Sequence, residues 1–365
     1  MKAAVLYEYN KPIEIKDIQQ DPPKSGEVLV KMGVAGICAS DDHILRGQIS
    51  LMPLPVVLGH EGAGTVIEVG AGVRNVKPGD RCILAYVSHC GNCRPCRTGT
   101  LQICETYRST GGAQFDGTYR LHDGDTDILQ LAKLGVFAEY AVVPAQACHI
   151  IPDSVPFEVG ALVGCSVTTG IGAVINNPNA QAGMTVAVFG CGGVGLNVIQ
   201  GARLLNASKI IAVDILNHKL EFTYKFGATH VLNAKEVNVP EAIKEITDGG
   251  VDMAFDSFGG AIPTADALAS VRNAGTAVVI GLAPDGITAP IDMIDLVRGQ
   301  KTLMGSFYGS TSPHETFDKL LDFYLKGKID VEGLVTRRYH LDDINKGFDG
   351  FINGEDGRGI IPFEA

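Results

Sequence analysis

The 365-residue sequence predicts an α/β protein in which a β-rich domain is combined with a doubly wound parallel sheet. Hydrophobic residues make up 45% of the chain and charged residues 19%, proportions that exclude a disordered protein. Short apolar runs broken by Gly, Pro and Asp fill the first part of the chain, whereas strand and helix patterns alternate from Gly183 onward. We expect one domain to comprise residues 1–166 and 306–365, and the other residues 167–305.

The β-rich domain is predicted to be largely antiparallel and barrel-like, because its apolar runs are short and closely spaced. The clearest predicted strands of this domain are Glu27–Met32, Gly64–Val69, Arg81–Leu84 and Ala138–Val143. The apolar run Val159–Ile175 carries several Gly, Ser and Thr residues, and a membrane-spanning helix needs about 20 mostly apolar residues. We therefore expect a buried helix there.

In the second domain, buried strands are expected to alternate with helices, a pattern typical of a parallel sheet. The predicted strands are Thr185–Phe189, Lys209–Asp214, Thr229–Leu232, Val251–Phe255 and Gly275–Ile280. The predicted helices are Gly193–Leu205, Leu216–Phe226 and Val239–Ile246, followed near the chain end by Glu315–Leu325 and Leu341–Phe351.

The net charge of −11 makes nucleic acids and anionic membranes poor candidate partners. The N-terminal residues reach an acidic residue before a signal-peptide core could form, so we expect a cytoplasmic protein. The nine cysteines are then expected to be reduced and to act as metal ligands, nucleophiles or core residues.

A glycine-rich motif, G-x-G-x-x-G, directly follows the predicted strand Thr185–Phe189 and opens a helix. Gly190 permits a tight turn, Gly192 allows close approach of a pyrophosphate, and Gly195 allows the helix to pack on the strand. Asp214 ends the next strand, where a carboxylate can bind the adenosine ribose. This Rossmann-type pattern predicts NAD rather than NADP, because Asp214 would repel a 2′-phosphate and no arginine follows it directly.

Four cysteines, Cys90, Cys93, Cys96 and Cys104, form the pattern C-x2-C-x2-C-x7-C. This spacing predicts a closed structural zinc site that contributes to folding rather than to chemistry. An iron–sulfur cluster is the alternative, since related spacings occur in those proteins. Zinc is favoured because the surrounding loop is polar and would not shield a redox centre.

A second set of potential metal ligands is spread over three places in the chain. The segment Cys38–His43 contains a thiol, a hydroxyl, carboxylates and an imidazole, while glycines bracket the pair His60 and Glu61. Cys165 lies just before the predicted dinucleotide-binding half.

Across essentially its whole length the sequence resembles the zinc-dependent alcohol dehydrogenases of the medium-chain dehydrogenase/reductase superfamily. The motifs that carry the resemblance are GHEGAG at 59–64, the four-cysteine loop, LVGC at 162–165, GCGGVG at 190–195 and VD at 213–214. The segments 116–120, 137–140 and 305–310 most resemble those of a bacterial subgroup. Members of that subgroup bind their nicotinamide cofactor tightly. It implies a GroES-like catalytic domain and a Rossmann cofactor domain.

The resemblance implies a catalytic zinc held by Cys38, His60 and Cys165, and therefore two zinc ions per chain together with NAD. Asp41 would bond to the His60 imidazole and orient it. Glu61 would lie behind the metal, as a transient ligand or as a charge that tunes it.

Zinc in such a site acts as a Lewis acid, and the resemblance gives Ser40 and His43 the task of carrying the alcohol proton to solvent. The implied cofactor-binding residues are Gly190, Gly192, Gly193, Val194, Gly195, Asp214, Lys219, Leu282 and Arg358. Lys219 could equally be a solvated charge on its helix. The implied substrate pocket is apolar and partly aromatic, suits medium-sized or aryl alcohols, and comprises Tyr86, Leu131, Phe137 and Phe307.

Two alternatives to an NAD-linked alcohol dehydrogenase remain. Arg108 matches an anion-binding arginine of glutathione-dependent formaldehyde dehydrogenases, but Gln48–Pro55 lacks the acidic residues of that class. The second alternative is a non-catalytic, structural member of the superfamily. The three implied ligands of the catalytic zinc are present together with Ser40 and His43, which argues against this alternative. The resemblance also implies a homodimer, with a tetramer as the alternative. Two copies of the chain could pair through an exposed strand edge near Lys301–Gly305.

Overall fold

The computed structural model describes residues 1–49, 52–355 and 357–364. The chain divides into two compact units, the first made of Met1–Cys165, Thr311–Gly327 and Val331–Ala365 and the second of Ser166–Ser310 and Lys328–Asp330. The chain passes from one unit to the other after residues 165 and 310, which is one residue before and five residues after the two predicted boundaries at 166 and 305. The short segment 328–330 lies with the second unit, where Asp330 and Gln200 exchange two hydrogen bonds of 2.7 and 3.2 Å.

The strands, in chain order, are β1 Lys2–Leu6, β2 Glu14–Asp17, β3 Gln19–Gln20, β4 Glu27–Gly36, β5 Val56–Val57, β6 Glu61–Val69, β7 Arg81–Leu84, β8 Leu121–Asp123, β9 Thr126–Gln130, β10 Tyr140–Pro144, β11 Cys148–Ile150, β12 Thr185–Phe189, β13 Lys209–Asp214, β14 His230–Asn233, β15 Val251–Asp256, β16 Val271–Val279, β17 Thr302–Gly305, β18 Val335–Arg338 and β19 Arg358–Pro362. The α-helices are α1 Ala39–Leu45, α2 Arg94–Arg97, α3 Glu105–Ser109, α4 Phe157–Leu162, α5 Thr168–Ile175, α6 Gly193–Leu204, α7 Asn217–Thr223, α8 Val239–Thr247, α9 Ala261–Ser270, α10 Met293–Arg298, α11 Pro313–Leu325 and α12 Ile344–Ile352.

The first unit contains two sheets over the described residues. One has the strand order β2-β1-β5-β9-β8-β3, and the other has the order β11-β7-β6-β4-β19-β18 with β10 also paired to β4. The pairings are antiparallel except for β5 with β9 and β18 with β19, which confirms the predicted largely antiparallel domain. Strand β4 continues to Gly36, beyond the predicted end at Met32, because its last residues pair with β19 as well as β6.

The second unit contains a parallel sheet with the order β14-β13-β12-β15-β16-β17, which confirms the doubly wound prediction. The central strand β12 is buried from Val186 to Phe189, as expected for a strand covered by helices on both faces. Since β13 and β15 flank β12 on opposite sides, the strand order reverses at the end of β12. Ligands of doubly wound sheets bind at such a reversal point.

Among the described residues, one helical run is long and apolar enough to cross a membrane, at Phe157–Ile175. It consists of α4, a π-helical turn at Val163–Val167 and α5. Of its most apolar window, 83% is buried inside the protein, and a core helix has the same length and composition.

Candidate active site and metal centres

Four potential metal ligands converge in the first unit from three separate elements. Cys38 precedes α1, His60 and Glu61 lie at the start of β6, and Cys165 lies in the π-helical turn after α4. One donor atom of each lies within 4.8 Å of the others, and all four side chains are buried. Because π-turns occur frequently at functional sites, the irregular turn that carries Cys165 accords with a ligand role.

The Asp41 carboxylate fixes the orientation of the His60 imidazole. Its Oδ1 accepts a hydrogen bond of 2.9 Å from the Gly59 backbone N–H and lies 3.2 Å from Nδ1 of His60. Since Nδ1 then carries the hydrogen, the lone pair of the neutral ring resides on Nε2. This contact agrees with the predicted role of Asp41.

Glu61 pairs with Arg358, and both side chains are almost completely buried. The short contact joins Oε2 of Glu61 to Nη2 of Arg358. A Cβ atom at position 36 would collide with Oε2 of Glu61, so Gly36 leaves the space that this carboxylate occupies. Burial raises the pKa of Glu61 to about 8, although the Arg358 guanidinium acts in the opposite direction. The cofactor contact of Arg358 stays a prediction, since the contact described is to Glu61.

The donor set fits a zinc ion. The Cys165 thiol donates a hydrogen bond to Cys38, which lowers the pKa of Cys38 well below its usual value. Nε2 of His60 and Oε1 of Glu61 are buried without a hydrogen-bond partner among the described residues. Buried polar atoms rarely stay unpartnered, and two thiolates with one imidazole form one of the ligand sets that hold catalytic zinc. Cys38, Cys165 and Nε2 of His60 would hold the ion.

Ser40 and His43 lie three residues apart on α1 and therefore face the same side of the helix. Both are partly buried, and Nδ1 of His43 is a buried atom without a hydrogen-bond partner in the described part of the chain. Their position next to Cys38 is compatible with the predicted proton path, which stays a prediction.

The four-cysteine loop brings its sulfur atoms together around one point. Cys93 lies 3.4 Å from Cys96 and 3.8 Å from Cys104, and Cys90 lies 4.0 Å from Cys96. Sulfurs bound to a tetrahedral zinc at about 2.3 Å are separated by about 3.8 Å. Backbone N–H groups donate hydrogen bonds to the sulfur atoms of Cys90 and Cys104. One of these donors is Tyr107, whose backbone nitrogen lies 3.4 Å from Sγ of Cys104. The loop thus fits a structural zinc ion.

In the second unit, the glycine-rich turn links β12 to α6. Gly190 has a φ of +89°, which only glycine adopts readily, and a Cβ at Gly195 would collide with the carbonyl oxygen of Gly190. A Cβ at Gly192 would meet no atom within 4 Å. Since no protein contact demands glycine there, the open space fits the close approach of a pyrophosphate.

Asp214, at the end of β13, lies beside this turn. Its carboxylate accepts hydrogen bonds of 2.8 Å from the Cys191 N–H and 2.7 Å from the Ile215 N–H. The carboxylate is thereby held at the carboxyl end of the sheet, where a ribose hydroxyl could bind. Of the other predicted cofactor residues, Gly193 and Val194 begin α6, Lys219 lies on α7, and Leu282 is 43% exposed.

The four predicted pocket residues differ in their surroundings. Tyr86 packs at a tilt against the metal-site imidazole, with ring centroids of Tyr86 and His60 4.8 Å apart and an interplanar angle of 54°, and burial raises the pKa of Tyr86 to about 12. Leu131 is 7% exposed within the core of the first unit. Phe137 has no exposed surface, so it is placed in the core rather than on an accessible pocket wall. Phe307 belongs to the second unit and is half-buried.

Sequence reasoning missed Tyr107, which connects the four-cysteine loop to Tyr86. Its backbone N–H donates to Sγ of Cys104, and its hydroxyl donates a hydrogen bond of 2.9 Å to the Tyr86 carbonyl oxygen. The one sequence feature that could have indicated Tyr107 is its position three residues after Cys104, the last cysteine of the loop. The contact to Tyr86 spans 21 residues and depends on the folded loop.

Comparison with known proteins places the chain in a family. Residues 24–153 match the alcohol dehydrogenase GroES-like domain, and residues 193–326 match the zinc-binding dehydrogenase domain. The chain is 38% identical over 372 residues to the S-(hydroxymethyl)glutathione dehydrogenase of Paracoccus denitrificans, covering 99% of both chains. It is 36% identical over 370 residues to the NDMA-dependent alcohol dehydrogenase of Amycolatopsis methanolica, covering 100% of this chain and 99% of that one.

Among solved structures, the benzyl alcohol dehydrogenase of Acinetobacter calcoaceticus is similar, with a TM-score of 0.94, 33% identity and coverage of 100% of this chain and 99% of that chain. These matches confirm the predicted GroES-like and Rossmann-type domains. The chain therefore belongs to the zinc-dependent alcohol dehydrogenases of the medium-chain dehydrogenase/reductase superfamily.

Proposed function

We propose NAD as the hydride acceptor, and aryl or medium-sized apolar alcohols as the substrates, of this zinc-dependent alcohol dehydrogenase. Primary or secondary alcohols would be oxidised reversibly to aldehydes or ketones. The observation that carries the proposal is the convergence of Cys38, Cys165 and the unpartnered Nε2 of His60 within one buried cluster. The glycine-rich turn and Asp214 support the choice of NAD.

The side chains of the first unit divide the work of proton removal. When bound, a zinc ion supplies a Lewis acid that lowers the pKa of an alcohol. Ser40 accepts the alcohol proton and His43 passes it toward solvent. Asp41 keeps the His60 imidazole in the tautomer whose Nε2 is free to bind.

The apolar character of the substrate is supported by Tyr86, whose ring packs at a tilt against the His60 ring within the metal-ligand cluster. An aryl alcohol could pack on this ring, and aromatic pairs contribute about 0.5–1.5 kcal/mol beyond their buried area. The similarity to a benzyl alcohol dehydrogenase points in the same direction.

A panel of alcohols tests the substrate class. We expect the purified enzyme with NAD to oxidise benzyl alcohol with a higher kcat/KM than ethanol, measured by formation of reduced nicotinamide. The absorbance spectrum of the protein before NAD is added shows whether cofactor is already bound. Oxidation of none of the primary or secondary alcohols in the panel would refute the proposal.

The same assay with NADP tests the cofactor assignment. Wild type should prefer NAD, because the Asp214 carboxylate repels a 2′-phosphate. Asp214→Gly should bind NAD more weakly and reduce the preference. A wild-type enzyme that prefers NADP would show the assignment to be wrong.

A glutathione adduct of formaldehyde is a second candidate substrate, because relatives named S-(hydroxymethyl)glutathione dehydrogenase are 38% and 40% identical to this chain. Arg108 lies exposed on α3, where it could bind an anionic substrate. The segment Gln48–Pro55 carries no acidic residue, and Ser50 and Leu51 within it lie outside the described residues. If the adduct is the substrate, its kcat/KM exceeds that of every alcohol and falls in Arg108→Ala.

We also infer a second zinc ion in the four-cysteine loop and a cytoplasmic location. All nine cysteines lie in the described ranges and none forms a disulfide there. Thiolate ligands must stay reduced to bind zinc, and the cytosol keeps them so. Metal analysis of the purified protein measures the zinc content.

A homodimer formed through the second unit is supported by the open edge of its sheet. In the described part of the chain, β17 pairs only with β16, and on α10, the helix that precedes β17 in the chain, Met293, Ile294 and Val297 are 65%, 65% and 69% exposed. A copy of β17 could pair across a two-fold axis and cover these side chains. Light scattering should give twice the chain mass for wild type and a single chain mass for Leu303→Lys. A monomeric wild type would contradict the proposal.

A further inference from the structure

Two imidazoles of the first unit, outside both cysteine clusters, face each other through their Nδ1 atoms. Nδ1 of His149 lies 3.2 Å from Nδ1 of His314. His149 is in the middle of β11, and His314 is in the first turn of α11. The two residues are 165 positions apart, so the fold alone brings them together. Both rings are partly buried and pack edge-on against Phe317.

The other nitrogen of each ring faces an oxygen atom that can only accept a hydrogen bond. Nε2 of His314 lies 2.9 Å from the Gln146 carbonyl oxygen, and Nε2 of His149 lies 3.3 Å from the Asp318 carboxylate. Since neither oxygen carries a hydrogen, a hydrogen on each Nε2 is the arrangement that suits both contacts. In a neutral imidazole the lone pair then resides on Nδ1. With both rings in that form, two lone pairs would face each other across 3.2 Å.

Neutral rings in this arrangement repel each other unless a cation joins them. Burial lowers the pKa of His149 and of His314, and the neighbouring His314 ring lowers that of His149 further. Both rings thus favour the neutral form near neutral pH. Either a shared proton or a metal ion can remove the repulsion between the two nitrogens.

We propose that His149 and His314 form a third metal site, which binds a divalent ion of the zinc class through the two Nδ1 atoms with water completing the coordination. Nitrogens bound to a tetrahedral zinc at 2.0–2.1 Å are separated by about 3.3–3.4 Å, close to the distance between these two atoms. Imidazole is a suitable ligand for zinc, nickel and copper ions.

The surroundings of the pair match those of metal-bound histidines elsewhere. Such histidines donate their second ring N–H to a carboxylate or a backbone carbonyl, which is how Asp318 and Gln146 contact this pair. A third imidazole is close, because the ring centroid of His89 lies 6.0 Å from that of His314. Its Nδ1 is buried without a hydrogen-bond partner among the described residues.

An ion at this site would link strand β11 to helix α11 across a long stretch of chain. Since the two ligands meet only in the folded protein, binding stabilises the folded state. The site shares no residue with the two cysteine-containing clusters, so its existence does not depend on the proposed substrate or cofactor.

Zinc titration of the purified holoenzyme, already carrying its resident zinc, tests the site. Equilibrium dialysis against Zn²⁺ at neutral pH should show one more bound ion in wild type than in His314→Gln or in the double variant His149→Gln/His314→Gln. The extra ion should raise the Tm of wild type by a few degrees and leave the Tm of His314→Gln unchanged. At acidic pH the extra ion should be lost, because protons compete for the imidazoles.

Two further variants separate a specific site from general surface binding. Asp318→Asn retains both imidazoles but loses the carboxylate beside His149, so its affinity for the extra ion should fall about 10- to 100-fold. His340→Gln, which removes an exposed histidine of the same unit, should bind the extra ion like wild type. Unchanged resident zinc and alcohol turnover verify that each variant is folded.

Two results would overturn the assignment. If wild type binds no more Zn²⁺ than His314→Gln, the two rings share a proton instead. If the extra ion persists in the double variant, it binds elsewhere on the surface.

Discussion

Replacement of Cys165 by serine should abolish alcohol oxidation while the protein stays folded. The serine hydroxyl does not ionise as a thiol does, so the buried cluster with Cys38 and His60 loses one of its anionic ligands. Zinc content should fall from two ions per chain to one. Metal analysis, steady-state turnover and thermal unfolding of the same preparation measure the three effects.

Cys93→Ser is the matched control, because it removes one thiolate from the other cluster. In the proposed structural site the binding free energy of the metal would contribute directly to folding, so stability should be lost first and activity only as the protein unfolds. One zinc ion per chain in pure wild type would contradict the two-site interpretation. Full turnover of Cys165→Ser would exclude Cys165 as a catalytic ligand.

Ser40→Ala should slow hydride transfer by about 10²–10⁴-fold, the usual contribution of a positioned proton acceptor. Ser40 lies on the first turn of α1, two residues after Cys38, and its hydroxyl is the proposed first acceptor of the alcohol proton. Pre-steady-state measurement of hydride transfer is required, because slow product or cofactor release could otherwise hide the loss.

His43→Gln is the graded comparison for the same path. In the proposed path His43 follows Ser40, so water or buffer can partly replace it and the loss should be smaller. The loss should be largest at mildly acidic pH, where removal of the alcohol proton is hardest, and imidazole buffer should restore part of the rate. Such rescue is not expected for Ser40→Ala. Hydride transfer as fast as wild type at every pH would show that His43 has no part in proton transfer.

Features that depend on short stretches of chain could be predicted from the sequence. The C-x2-C-x2-C-x7-C spacing places four sulfurs on one loop, and the structure brings all of them within 4.8 Å. The glycine-rich turn lies between β12 and α6, where the strand-then-helix pattern predicted it. Strands Arg81–Leu84, Thr185–Phe189 and Lys209–Asp214 have the predicted bounds, and a turn-forming Gly, Asp, Asn or Ser lies within two residues before each of them.

Features that depend on distant parts of the chain could not be predicted in the same way. Glu61 and Arg358 are 297 positions apart, and only the pairing of β4 with both β6 and β19 brings them into contact. The sequence showed Phe137 as an aromatic residue suitable for a pocket, yet its complete burial depends on neighbours from several strands. The π-helical turn at Cys165 has no sequence signature of its own, since the run reads as a continuous helix.

The short helix α1 has a consequence for how this enzyme can change. Ser40, Asp41 and His43 occupy barely more than one turn that begins directly after Cys38, and Asp41 also holds the Gly59 backbone and the His60 ring. If Ser40 and His43 carry the alcohol proton as proposed, metal affinity and proton removal are mechanically coupled, since any tilt or shift of that turn displaces the groups that serve both. Attempts to adapt the enzyme to another pH or another metal by substitutions in α1 would alter the two properties together. Separate adjustment requires changes at residues such as Tyr86, which contacts His60 from outside the helix.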